Sequence, residues 1–158
     1  MNEQAIQSIV ETVVSKISPK DITLDLAQSV AQKVREKAKK MGVKAVVAIS
    51  NRAACPVLVE SMDDAYIASY EIAVQKAFTV VSLKMSTATL KPLAQPGGSL
   101  YGIQFTNGGK IVIFGGGEPL KNREGQIIGG IGVSGGTEAQ DTALAAYGKE
   151  IFEKGQYL

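Results

Sequence analysis

Tyr101 to Gly136, YGIQFTNGGKIVIFGGGEPLKNREGQIIGGIGVSGG, is the stretch on which the reading of this chain turns. It alternates short β-branched runs with glycine pairs and triplets and holds 12 of the 17 glycines. Glycine reaches positive φ and lets a ligand or another backbone come close, so this density predicts tight turns around a site. Three strands are expected, at Tyr101–Phe105, Lys110–Phe114 and Gln126–Val133. The first two would be joined at Asn107-Gly108-Gly109, since Asn-Gly suits a type I′ hairpin turn. A longer loop would follow from Gly115 to Gly125. Downstream, Thr137 and Gln140 form a capping box that opens a final helix to about Phe152, with Ala139, Ala143, Leu144, Tyr147 and Ile151 inward.

Working back toward the N-terminus, Asp64 to Lys84 carries Ile67, Tyr70, Val74, Ala77, Phe78 and Val81 three and four apart, which predicts a long helix capped by Asp63 or Asp64. A short helical turn begins at Ser86. Val43–Ser50 and Pro56–Glu60 read as two strands of a hairpin around Asn51-Arg52-Ala53-Ala54-Cys55. Thr23 to Met41 reads as a helix with Thr23 as N-cap and Gly42 as its stop. Met1 to Ile17 is a short amphipathic helix, with Ile6, Ile9, Val10, Val13, Val14 and Ile17 on one side, ended by Ser18-Pro19. The order contains neither a βαβ alternation nor a repeat. The expected architecture is α+β: a five-stranded, mostly antiparallel sheet flanked by helices, with an extra N-terminal amphipathic helix. The segments are residues 1–17 (a docking or targeting helix), 18–22 (linker) and 23–158 (one domain).

The totals exclude several functions. Across 158 residues, 17 Lys+Arg stand against 15 Asp+Glu, a net charge of +2, so no basic nucleic-acid surface is expected. No run of about 18 apolar residues offers a membrane span, and the acidic, interrupted first turn does not read as a secretory signal. A cytoplasmic protein is expected. The chain contains no histidine, which removes His-based acid/base catalysis, Ser-His-Asp and Cys-His nucleophiles, and the usual zinc sites.

Gly130-x-Gly132-x-x-Gly135 has the spacing of a dinucleotide fingerprint, but no βαβ unit follows it, and Glu150 lies inside the last helix rather than heading a second strand. What remains is an anion site at Gly135-Gly136-Thr137, before a helix N-terminus. Cys55, the lone cysteine, is either a small buried hydrophobe or, with Pro56 holding the turn, a thiolate ligand for haem iron. Glu118 and Lys76 are candidate acid or base groups, without a spacing that identifies a reaction.

The segments AVVAISNRAACPVLVESMDDAYIASYEIAVQKAFTVV, SLYGIQFTNGGKIVIFGGGEPL and GQIIGGIGVSGGTEAQDTALA together resemble the GlcG/HbpS-like haem-binding family, and are similar to the C-terminal domain of PduO-type corrinoid adenosyltransferases. The resemblance spans about Thr23 to Phe152. It implies a homo-oligomer that binds a small molecule, with haem or a corrinoid as cofactor. By position, it implies a pocket formed by Cys55, Lys76, Tyr101, Asn107, Gly115, Gly116, Gly117, Glu118, Gly135 and Gly136. Two features depart from the family. Asn51-Arg52-Ala53-Ala54 stands where relatives carry an Asp-x-Gly-Gly turn, and the histidine that relatives place on haem iron is missing. That leaves Cys55, a tyrosine such as Tyr101, a methionine, or no haem at all.

Because the resemblance begins after the linker, residues 1–17 look like the encapsulation peptides that direct enzymes to the shell proteins of bacterial microcompartments. Three readings therefore stand open: a tetrapyrrole- or corrinoid-binding protein, an enzyme or enzyme-maintenance factor of diol or aldehyde metabolism, and a scaffold acting through its N-terminal helix.

Overall fold

The computed structural model describes residues 2–155, and the side chains of residues 14–17 are outside that description. The expected helix start at Met1, the apolar placement of Val14 and Ile17, and the end of the domain at 158 lie outside the described residues.

A four-stranded sheet, all antiparallel, runs in the order β2-β1-β4-β3. Its strands are β1 (Val46–Asn51), β2 (Pro56–Ser61), β3 (Gly117–Lys121) and β4 (Ile127–Ser134). The helices are α1 (Glu3–Ile17), α2 (Leu24–Lys40), α3 (Ile67–Ser82), α4 (Thr87–Leu93) and α5 (Glu138–Gly155). Helices α2 and α5 cover one face of the sheet, and α3 covers the other.

Local chemistry explains the elements that follow the sequence. Thr23 caps α2 by accepting from the Leu26 N–H, and Gly42 ends it at φ +70°. The capping box of α5 closes in both directions, with the Gln140 N–H on Thr137 Oγ1 at 3.2 Å and the Thr137 N–H on Gln140 Oε1 at 2.9 Å. The β1–β2 hairpin turns on Asn51, whose Oδ1 accepts from the N–H groups of Ala53 and Cys55.

Other expectations are corrected. The sheet has four strands, not five. Neither Tyr101–Phe105 nor Lys110–Phe114 pairs: the first becomes a helical turn at Ile103–Phe105, and the second is an extended run without a ladder. Asn107 and Gly108 do take positive φ, as Asn-Gly favours, but the turn joins no strands. Ile111 and Val112 bury themselves instead against α3, with the Val112 N–H on Thr79 Oγ1 at 3.0 Å. The partner of β4 is Gly-Glu-Pro-Leu-Lys, which reads as loop because of Pro119. A proline is tolerated here because β3 is the edge strand.

Helix α3 starts at Ile67, after Tyr66, because Asp64 sits at φ +60° and its carboxylate holds Lys44 at 3.0 Å rather than capping the helix. In α5, Ala139 and Ala143 face solvent, while Asp141, Leu144, Ala145, Gly148 and Phe152 are buried.

The two sheet faces differ in what fills them. Val47, Ile49, Ile131 and Val133 pack with Val30, Val34 and Leu144 under α2 and α5. On the α3 side the helix contributes small residues, Ala73 and Ala77, against Val46 and Ala48 of β1. Gly132 shows why: a Cβ there would lie 2.1 Å from the Ala73 carbonyl oxygen. The α3 backbone rests almost directly on β4, and its large apolar stripe points outward, with Ile67 97% exposed.

Helix α1 leaves much of its described apolar side in solvent. Ile6, Ile9, Val10 and Val13 are about half exposed. Its root is fixed: Ile22 is buried in the core, Asp21 Oδ1 accepts from the Arg52 N–H at 2.9 Å, and the Pro19 carbonyl accepts from Asn122 at 3.3 Å.

Candidate functional site

The close approach of α3 to β4 carries a lysine into the interior. Lys76 is fully buried, and its Nζ donates to the Val133 carbonyl at 2.8 Å and to Asp141 Oδ2 at 3.0 Å. Its third side faces the Phe114 ring, 5.0 Å from the centroid. Loss of hydration pushes the Lys76 ammonium below its usual range, and the charge and hydrogen bond of Asp141 oppose that shift. Asp141 also accepts from the Gly136 N–H through Oδ1, at 2.9 Å. One carboxylate thus ties α3, the end of β4 and the first turn of α5 together.

A strap, residues 114–117, closes over this pair. Gly116 lies so near that a Cβ would sit 2.6 Å from Lys76 Nζ, and its φ of +114° suits glycine. The Gly115 N–H donates to Glu138 Oε1 at 2.9 Å, and Glu138 Oε2 holds Lys91 at 2.6 Å. Lys91, and then the Gly115 N–H, hold the Glu138 carboxyl below its ordinary value. The Gly117 N–H donates to buried Thr87 Oγ1 at 2.9 Å.

Beside the strap runs a groove of about 280 Å³ lined by Tyr66, Ile72, Phe114, Ser134 and Gly135-Gly136. Tyr66, Gly135 and Gly136 also line a neighbouring groove of about 360 Å³, which reaches Lys44 and Gln140.

Of the expected site residues, the fold gathers Lys76, Gly115, Gly116, Gly117, Gly135 and Gly136. It separates the rest. Cys55 is exposed on the hairpin tip, at the opposite end of β1 from Ser134. Tyr101 and Asn107 lie on the exposed arm that follows α4. Glu118 pairs with Lys149 of α5 at 3.2 Å, on the sheet face away from Lys76. The anion site expected at Gly135-Gly136-Thr137 is already served from within, since Asp141 and Gln140 take the N–H groups of Gly136 and Thr137. Asp141, Glu138, Phe114 and Tyr66 were not foreseen. The one available signal was Glu138 and Asp141 in the first turn of a helix, where acids are common for reasons of helix dipole alone. Among the described residues no group of three or more potential ligands could hold a metal ion, and no helix is long and apolar enough to cross a membrane.

Comparison with known proteins gives these surfaces a context. A family model described as haem degrading protein HbpS-like matches residues 22–150. A 15.0 kDa protein of the dhaT-dhaS intergenic region of Citrobacter freundii is 41% identical over 115 residues, 73% of this chain and 80% of that protein. The corrinoid adenosyltransferase PduO of Salmonella typhimurium is 41% identical over 107 residues, 68% of this chain but 32% of PduO. A crystal structure of a PduOC:heme complex superposes with a TM-score of 0.79 at 35% identity, covering 82% of this chain and 94% of that one.

Proposed function

This chain belongs to the HbpS-like family, and on that premise we propose that it is a non-catalytic binding protein for a tetrapyrrole of the haem or corrinoid class. The observation that carries the reading is the likeness, over 82% of the chain, to a relative crystallised with haem. The donor set is compatible with such a ligand in a restricted way. With no histidine, the protein's axial ligand to a central metal would be an oxygen, a sulfur or a lysine amine, and tyrosine is a known ligand of haem iron. Tyr66 stands beside a groove with apolar walls, and the residues present fit the group on that chemistry.

Titration of the full chain with haemin and, separately, with hydroxocobalamin tests the reading. A perturbed absorption spectrum and a raised Tm are expected with at least one of them. No spectral change and no thermal shift with either would overturn it.

The outward apolar stripe of α3, with Ile67 and Tyr70 exposed, supports a homo-oligomer. A second role rests on α1, whose Ile6, Ile9, Val10 and Val13 form an apolar face that is about half exposed. In this reading α1 docks in a groove of a partner, a microcompartment shell protein of a diol or aldehyde pathway. Deleting residues 1–17 should leave the domain folded and abolish co-localisation with the shell; unchanged localisation would remove the role.

A further inference from the structure

Resting on the tetrapyrrole reading above, we infer that the trough centred on Tyr66 is the tetrapyrrole site and that the Tyr66 phenolate oxygen is the ligand of ferric haem iron. Two adjoining grooves share Tyr66, Gly135 and Gly136, and both fall near the lower end of the size of ligand pockets, about 300–1,000 Å³. Tyr66 is their common wall. It immediately precedes the first turn of α3, so its backbone is held by a rigid element: its carbonyl accepts from the Ser69 N–H at 2.9 Å. Its side chain is 74% exposed, and its hydroxyl has no hydrogen-bond partner among the described residues.

The two halves of the trough differ in polarity. On one side of Tyr66 stand Ala68, Ile72 and Phe114, an apolar wall for a macrocycle. On the other stand Gln140 and Lys44, whose ammonium is shared with Asp64 at 3.0 Å, so that propionates would meet an amide and compete with Asp64 for the lysine. The acids on the apolar side are already engaged, Asp141 by Lys76 and Glu138 by Lys91 and the Gly115 N–H. They offer little free charge to repel the ligand. Cys55 and Tyr101, the other donors suggested by the sequence, line neither of these two grooves.

Binding is a ligand exchange: one Fe–O bond to the phenolate replaces the bond to the water or hydroxide that aqueous ferric haem carries, and the phenol proton passes to the departing hydroxide or to solvent. No electron is transferred.

The test uses the full chain, haemin, and the variants Tyr66→Phe, Lys44→Glu, Tyr101→Phe and Cys55→Ser. With the wild type, resonance Raman should show the phenolate modes of a ferric tyrosinate, and Tyr101→Phe and Cys55→Ser should keep them. Tyr66→Phe should lose those modes and bind haemin about 10-fold more weakly or worse, with an unchanged circular dichroism spectrum. Lys44→Glu should keep the phenolate modes but bind less tightly. If the wild type binds haemin and Tyr66→Phe gives the same spectrum and affinity, the assignment is wrong while the haem reading stands. If the wild type binds hydroxocobalamin and not haemin, the assignment to haem iron is wrong while the wider tetrapyrrole reading stands. If it binds neither, both fall together.

Discussion

The two faces of the sheet solve the same packing problem in opposite ways. Under α2 and α5 the strands present Val47, Ile49, Ile131 and Val133, and stability comes from bulky aliphatics meeting others of their kind. Under α3 the strands present Gly130, Gly132 and Ala48 beside Val46, the helix backbone comes down to the sheet, and the largest fully buried side chain is a charged one, Lys76. The first face loses stability in proportion to the apolar volume removed from it, as ordinary cores do. The second has no spare volume, and it keeps one ion pair whose partners are safe only together. Proximity of helix to sheet, rather than ligand contact, accounts for glycines such as Gly132.

The sharpest test of this contrast is Lys76→Met. It leaves Asp141 buried without its cation and should cost about 3–5 kcal/mol in chemical denaturation. A loss below about 1 kcal/mol would mean that the pair is solvated in solution and that water reaches it through the α3 face. The double variant Lys76→Met/Asp141→Leu should recover part of the loss, held back by the Gly136 N–H that Asp141 also satisfies.

Neighbours on β4 provide the next comparison, because their side chains point to opposite faces. Ile131→Ala removes volume under α2 and α5 and should cost about 2–5 kcal/mol. Gly132→Ala adds a single methyl under α3, where it would meet the Ala73 carbonyl at 2.1 Å, and should cost about 1–3 kcal/mol or more. Urea denaturation of both variants checks the pair. A neutral Gly132→Ala would show that α3 can lift away, and the distinction between the faces would lose its basis.

The same contrast explains what could be read from the sequence. Caps, turns and aliphatic periodicity are local, so α2, α5, α4 and the β1–β2 hairpin are legible from Thr23, Thr137 with Gln140, Ser86 and Asn51. The α3 face is not local. Ile67, Tyr70 and Val74 recur at helical spacing as strongly as any core stripe, yet the sheet takes the small residues Ser69, Ala73 and Ala77 instead, because glycines sixty residues away let the backbone approach. Ile111 and Val112 have the composition of a strand but find their cover in α3, and β3 forms from a Gly-Glu-Pro run whose proline is acceptable only at an edge. For the site, Lys76 and the glycines at 115–117 and 135–136 were foreseeable from the resemblance. Asp141 and Tyr66 depend on how α3 and α5 meet, which no spacing in the chain expresses.

The smallest effect should appear at the outer rim of the α3 face, where the clamp on the strap is half exposed. Lys91 and the Gly115 N–H hold the Glu138 carboxyl below its ordinary value near 4.5. A carboxyl with a lowered folded pKa is bound by protons more readily in the unfolded chain, so its stabilisation is complete above about pH 4.5 and is lost as the pH falls through the lower, folded value. Glu138→Gln should therefore be slightly less stable than the wild type at neutral pH, with the gap closing on acidification, and Lys91→Ala should shrink the same acid-dependent step. Exposure of the Lys91 pair keeps the effect small and salt-sensitive, unlike the pair at Lys76, which salt should not reach. If Tm against pH runs parallel for wild type and Glu138→Gln from pH 7 to pH 3, the strap is not held by this carboxylate, and its position over Lys76 must depend on Gly116 and Thr87 alone.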